Sequence, residues 1–301
     1  MKTYKLVLPF LMIGLFFIAC DDDVNFNAST DLNGTHSDIR SMLSSIDITQ
    51  RVSLETDNFR FVSDAGTIIT AAPDAFVFAD GTPVTGTIDF ELTELFTKSQ
   101  ILQYGIQTMT FNDEILESDG EFLFEATQGG QRLRLANDRS LNLLVPNDEP
   151  NSSMELFQAA EGFAWFLSPD IPVNVIELED TTGGFFIGYE TFSPELDWVN
   201  IDYFTKFDTP LTDVSICLPA DYAEQSVMSW VIFKDLDIVL QTDGRLLPIG
   251  EDIYVIVIAA EDADTFRLDI QEVTVEEDLK VNLDPKRTSI EDIKERLMEL
   301  D

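Results

Sequence analysis

The feature that most constrains this chain is a repeated period-two alternation of apolar and polar residues. Phe59 and Phe61 alternate with polar neighbours, and so do Ile88, Phe90 and Leu92. The pattern returns at Phe122, Phe124 and Ala126, at Leu133 and Leu135, and at Leu141, Leu143 and Val145. Successive side chains of a strand point to opposite faces, so this spacing describes half-buried strands, not helices. Turn chemistry falls between the runs. Asp80-Gly81 follows Ala75–Phe78, and Gly129-Gly130 separates Glu121–Thr127 from Gln131–Leu135, where two glycines suit the positive φ of a tight hairpin turn. Short strands at this spacing predict a β-sandwich. Asn147–Ser153 breaks the pattern, and the aromatic stretch Met154–Leu178 reads as a closing strand plus a connection. Thr181-Thr182-Gly183-Gly184 breaks it again.

A second β set follows, from Phe185–Tyr189 and Trp198–Phe204 through Asp213–Leu218, Ser226–Leu240, Ile253–Ala260 and Phe266–Val275 to Leu279–Leu283. Within it Tyr254-Val255-Ile256-Val257-Ile258 is continuously apolar, which predicts a central strand covered on both faces. Ser289 is a good helix N-cap with Asp292 at the reciprocal position, and Ile290, Ile293, Leu297 and Leu300 recur on one helical face. The expected fold is all-β: two β-sandwich domains in tandem, over 50–180 and 181–301, with a short helix at the end.

Charge excludes one class of partner. The 301 residues hold 18 Lys+Arg against 56 Asp+Glu, a net of −38. Such a field repels phosphate backbones, so nucleic-acid binding is not expected.

The amino terminus predicts placement. Lys2 and Lys5 precede Leu6–Ala19, an apolar run of 14 residues that is too short for a permanent membrane span. The run ends Phe17-Ile18-Ala19-Cys20, which resembles the lipobox of bacterial lipoproteins, with Phe17 where that motif usually has Leu. Residues 1–19 are thus expected to be a lipoprotein signal peptide and Cys20 the lipidated residue. Acyl chains contribute about 0.8 kcal/mol per buried methylene, so two or three on one cysteine hold firmly. Removing Lys2 and Lys5 takes the net charge to −40. Asp21-Asp22-Asp23 resembles the acidic export signal of Bacteroidota surface lipoproteins, which implies an outer-membrane protein facing the cell exterior. In enterobacterial sorting an Asp at the first of these positions implies retention facing the periplasm. Residues 20–49, with the polar stretch Val24–Gly34, are expected to be a flexible tether. With Cys20 acylated no disulfide partner is left, and Cys217, in the run Val214–Leu218, is expected as a buried inert thiol.

Several segments share a further likeness. Thr67-Ile68-Ile69, Ala75-Phe76-Val77, Asp80-Gly81, Pro83-Val84-Thr85-Gly86 and Ile88-Asp89-Phe90 resemble the opening of a family of Bacteroidota surface lipoproteins. Gly120–Ala126, Trp198–Phe204, Leu218–Tyr222 and Val231–Asp235 are similar to its later segments, in the same order, with Ile201 where a cysteine is common. The resemblance covers residues 50–300. It implies a first sandwich of the zonula-occludens and netrin-receptor type, then an Ig-like or transthyretin-like second. Some animal relatives of the first domain cleave themselves at His-Phe-Ser. That tripeptide is absent here, so self-cleavage is not implied.

No residue set predicts catalysis. The one histidine, His36, lies beside the tether, which leaves hydrolytic triads and zinc sites without a base or ligands. No Gly-rich loop has the spacing of a phosphate cradle. Asp148-Glu149, Asp202 with Asp208, and Asp262 with Asp264 are candidate calcium loops, each lacking the turn glycine of the twelve-residue calcium motif; solvated acidic loops are the expectation. Trp165, Trp198 and Trp230 lie in apolar runs and are expected in cores, with a sugar-stacking platform as the alternative. Asp180-Thr181-Thr182 resembles a Bacteroidota O-glycosylation acceptor, which marks Thr181. The expected role is binding or structural, toward a partner protein or glycan at the envelope. The alternatives are a carbohydrate-binding accessory of a glycan-uptake system and, more remotely, a glycan-active enzyme using paired carboxylates.

Overall fold

The computed structural model describes residues 24–25, 39, 43, 48–159, 164–179, 185–222, 226–242, 245–262 and 265–301. Cys20, Asp21, Asp22, Asp23, His36, Thr181 and Asp264 lie outside them.

Among the described residues the fold is all-β, with short α-helices at Lys98–Gln103 and Ile290–Met298. A seven-stranded antiparallel sheet runs in the order Trp165–Leu167, Glu155–Ala159, Trp198–Phe204, Leu116–Gln128, Thr87–Leu95, Gln50–Glu55, with Gln131–Arg132 paired to the long central strand. Facing it, a five-stranded sheet runs Asn174–Glu179, Phe185–Ser193, Leu141–Pro146, Ile68–Ala71, Arg60–Val62. All thirteen residues named above for their alternation over 59–145 are buried in the apolar core that these two sheets share. Phe90 is central to it, 5.0 Å from Phe59 in an edge-to-face contact. The Gly129-Gly130 turn is the expected hairpin, with φ of 58° and 77° and Gln128 opposite Gln131.

The expected division at residue 181 does not follow the strand pairing. Phe185–Ser193 pairs with Leu141–Pro146 and with Asn174–Glu179, and Trp198–Phe204 pairs with Leu116–Gln128 and Glu155–Ala159. Both strands therefore belong to the first pair of sheets. Local pattern identifies them as strands but carries no information on long-range partners.

The second pair of sheets begins at Leu211. A five-stranded sheet runs Val239–Gln241, Ser226–Phe233, Asp252–Asp262, Thr265–Thr274, Lys286–Thr288, so the run expected over Ser226–Leu240 is two strands. Opposite it, Leu211–Leu218 pairs with Leu246–Pro248, with Leu279–Asn282 in parallel, and with Val24–Asn25. The last pairing docks two residues of the expected tether onto a sheet. Cys217, opposite Asn25, is buried and disulfide-bonded, which corrects the expectation of an inert thiol.

The strand Asp252–Asp262 is covered on both faces, as its apolar run predicts. Val255 and Val257 face the core of the second sheet pair, whereas Ile256 and Ile258 enter a third core that joins the two halves. That third core gathers Leu95, Leu116, Phe157 and Trp165 from the seven-stranded sheet with Trp230, Ile232, Phe266 and Leu268. Two helices close it. Lys98–Gln103 starts from a capping box between Thr97 and Gln100, and Ile290–Met298 starts from Ser289, whose side chain accepts from the Asp292 N–H. The Asp292 carboxylate takes a hydrogen bond from the Thr288 hydroxyl, not from the cap N–H. Ile293 and Leu297 are fully buried, with Ile290 and Leu300 packed beside them. Ile39 and Leu43, helical and one turn apart, reach the same core.

Candidate functional site

Three places in this fold depart from ordinary packing. The first is a group of acids where the two halves meet. Asn200 and Asp202 project from the face of the seven-stranded sheet that looks toward the second half, as do their neighbours Trp198 and Phe204. Opposite Asn200 stands Glu121, and opposite Asp202 stands Ser118, across a β-bulge at Asp119-Gly120. The bulge is possible because Gly120 holds φ at +144°, where a Cβ would stand 2.9 Å from the Phe96 ring. Glu121, Asn200 and Asp202 are fully buried. Ser118 donates to Asn200 Oδ1 at 3.1 Å, and the Asn200 amide donates to Asp202 Oδ2. Both oxygens of Glu121 and Oδ1 of Asp202 have no hydrogen-bond partner.

Burial, and then the charge of the neighbouring Asp202, pushes the Glu121 carboxyl well above its usual range; burial does the same to Asp202 despite the bond from Asn200 and the nearby Ser118 hydroxyl. Three further acids adjoin the pair, Glu117 and Asp119 half-buried and Asp237 exposed, and desolvation raises each. Glu117 accepts from the Tyr203 hydroxyl, Asp119 from the Tyr189 hydroxyl, and Asp237 lies across the seam, where its carbonyl accepts from the Ser118 N–H at 3.1 Å. Lys98 draws Asp237 back down, but its ammonium is buried against the carbonyls of Phe233 and Lys234 at 3.1 and 2.9 Å. Such an arrangement can take up protons as the pH falls. Glu121 and Asp202 are enclosed.

The second place is an apolar surface. The hairpin Met109–Ile115 carries Phe111 at its tip, 54% exposed and stacked on Phe166 with ring centroids 4.2 Å apart. Next to it Leu211 and Leu246 are each about half exposed, and a groove of about 560 Å³ runs between Met109, Ile115, Phe207 and these two leucines. Arg245 and Asp113 form an ion pair of 2.6 Å at its margin. Four of the nine large apolar side chains exposed among the described residues gather here.

The third place is a groove of about 600 Å³ between the segment Arg132–Asn137 and the loop Pro194–Asp197. Arg132 and Arg134 line one side and Glu195 and Asp197 the other.

The residues singled out in the sequence fall elsewhere or apart. Asp202 is buried in a strand while Asp208 is exposed beyond its end, so they do not make one calcium loop. Asp148 and Glu149 sit in an exposed turn in which Asn147 Oδ1 accepts from the Glu149 N–H. Among the described residues, no three His, Cys, Asp or Glu side chains are placed to hold a metal ion. Trp165 and Trp230 are buried and Trp198 is half-buried with its ring edge-to-face on Tyr104; none forms an exposed platform. Sequence reasoning missed Glu121 and Asn200, because polar residues in an alternating strand read as solvent-facing until a second layer covers them. No family model, no curated protein and no solved structure matches the chain.

Proposed function

We propose that this chain is a lipid-anchored, extracytoplasmic protein of the bacterial envelope whose role is to bind a partner protein and not to catalyse. The leader Lys2–Ala19 followed by Cys20 supports the anchor, and Asp21-Asp22-Asp23 supports transport to the outer surface of the outer membrane. On this reading the two sheet pairs are a zonula-occludens-type sandwich and an Ig-like or transthyretin-like one. The second half rides close to the bilayer. Val24 is already paired to Leu218, and four residues from Cys20 span at most roughly 14 Å.

The observation that carries the binding role is the apolar surface around Phe111. Stacked, half-exposed phenylalanines with exposed leucines beside a groove mark a contact surface. Its charged neighbours Asp113, Glu114, Asp208 and Asp213 outnumber Lys206 and Arg245, and the whole chain is strongly acidic. A second copy of the chain would be repelled, so the partner is a protein segment presenting apolar side chains on a positively charged background.

The test uses a peptide of alternating lysine and leucine, with a lysine–serine peptide as control, by fluorescence anisotropy at physiological salt. The expected result is saturable binding of the leucine peptide alone, weakened at least tenfold by Phe111→Ser with Leu246→Ser, which leave charge unchanged. Equal binding of both peptides, or no effect of the substitutions in a folded protein, would remove this surface from the account.

A further inference from the structure

We propose that the groove between Arg132–Asn137 and Pro194–Asp197 binds an acidic saccharide, one whose sugar rings carry carboxylate or sulfate groups. The site is separate from the apolar surface and does not depend on it.

Positive charge is scarce in this chain, yet three arginines fall within the nine residues Gln131–Arg139. Arg139 is spoken for: its Nε and Nη2 reach the two carboxylate oxygens of Asp74 at 2.8 and 2.5 Å. The other two are held more loosely, Arg132 by Glu125 and Arg134 by the longer-range charge of Asp80. No described carboxylate lies within ion-pair range of Arg134, whose Nη1 makes two long contacts of 3.4 Å, to the Leu135 carbonyl and to Asn137 Oδ1. Arg132 has one distant ion pair, 3.8 Å to Glu125, with both side chains solvated. A guanidinium offers five donors in a planar fork, so both keep unused donors on one groove.

The remaining walls narrow the ligand class. Carboxylate and sulfate match the fork of arginine. Leu133, Leu135 and Leu196, all buried, supply an apolar floor on which the C–H face of a sugar ring packs. Across the groove Glu195 and Asp197 are acceptors. Asp197 Oδ1 already takes the Trp198 N–H at 2.9 Å, and its other oxygen is available to sugar hydroxyls. These two acids would repel a simple dianion. The groove therefore calls for an anion at one edge, hydroxyl donors at the other and a C–H face between. The field of a −38 chain repels polyanions at a distance, so binding of one reports a local contact and not general electrostatic adsorption.

The experiment is titration calorimetry on the full chain with trigalacturonate, a chondroitin sulfate tetrasaccharide, neutral cellotriose and the zwitterionic peptide Ala-Ala. The expected result is binding of at least one acidic oligosaccharide, with the carboxylate and sulfate arms identifying which anion is read. Cellotriose and Ala-Ala should not bind. Arg134→Ala and Arg132→Ala should each weaken binding at least tenfold, while Arg139→Ala, at the arginine already paired with Asp74, changes it less than twofold. An unchanged thermal midpoint for Arg132→Ala, a solvated side chain, verifies folding. Failure of both acidic ligands, equal affinity for cellotriose, preference for Ala-Ala, or indifference to the two arginines would each overturn the proposal.

Discussion

Replacing Glu121 with leucine should make the protein more stable at neutral pH, and the gain should depend on pH. Glu121 is fully buried, and neither of its carboxylate oxygens has a partner. A buried unsatisfied polar group costs about 1–3 kcal/mol. Its flanking positions across the strands are Leu95 and Asn200, so one wall is already apolar. Burial and Asp202 hold its carboxyl well above the ordinary 4.5. The native state therefore keeps a proton that the unfolded state gives up. Stability tied to that proton is complete below about pH 4.5 and is lost as the pH rises through the folded-state value. Leucine has no such loss. The stability difference between variant and wild type should thus widen from pH 4.5 to pH 8, reaching about 1–3 kcal/mol at the upper end. For chains of 150–250 residues each kcal/mol moves the midpoint by roughly 2–4 °C, so a rise of several degrees is expected. Circular dichroism melts at fixed ionic strength measure it. A variant less stable than wild type at pH 8, or a difference that does not change with pH, would refute the view that this carboxyl is an uncompensated buried acid.

Three further outcomes follow from the same structure. Gly188→Ala should lower stability by about 3 kcal/mol or more by denaturant titration, because a Cβ there would stand 2.0 Å from the Val145 carbonyl oxygen and force the two strands apart. The thermal midpoint should rise from low salt to a few hundred millimolar NaCl, equally with KCl, as repulsion within an acidic chain is screened over about 8 Å at physiological ionic strength; an added calcium-specific rise, abolished by Asp262→Ala with Asp264→Ala, would instead establish a calcium site. Converting Asp21, Asp22 and Asp23 to alanine should protect the protein from protease added to intact cells without altering lipidation, and unchanged cleavage would leave the triplet a plain spacer.

The sequence was most informative where a single strand carries its own signal. The alternation of Phe59 through Val145 named thirteen buried residues of the first core, and the run Tyr254–Ile258 named the strand that two cores share. The Gly129-Gly130 turn and the Ser289 cap were legible because each is a contact between near neighbours. What escaped depends on distant residues. Phe185–Ser193 and Trp198–Phe204 read as strands of the second half until their partners were known. The helix Lys98–Gln103 was not read from the sequence, being too short to show a period. Asp202 was read only as half of a candidate calcium loop with Asp208, and its burial beside Glu121 comes from the second half of the chain closing over the sheet. Phe166, by contrast, sits in an apolar run that suggests a core and is exposed.

The central proposal, anchoring through Cys20, meets its most direct test at one sulfur atom. In the structure Cys217 is disulfide-bonded, whereas the proposed anchor claims the one other cysteine of the sequence, so the two assignments exclude each other. A Cys20 sulfur that carries diacylglycerol in a thioether cannot also be half of a disulfide. Mass spectrometry of the protein purified from its native membrane, digested without reduction, decides between the two. The account predicts an amino-terminal peptide beginning at Cys20 with two or three acyl chains. A peptide cross-linking Cys20 to Cys217, with no acyl mass at the amino terminus, would contradict it.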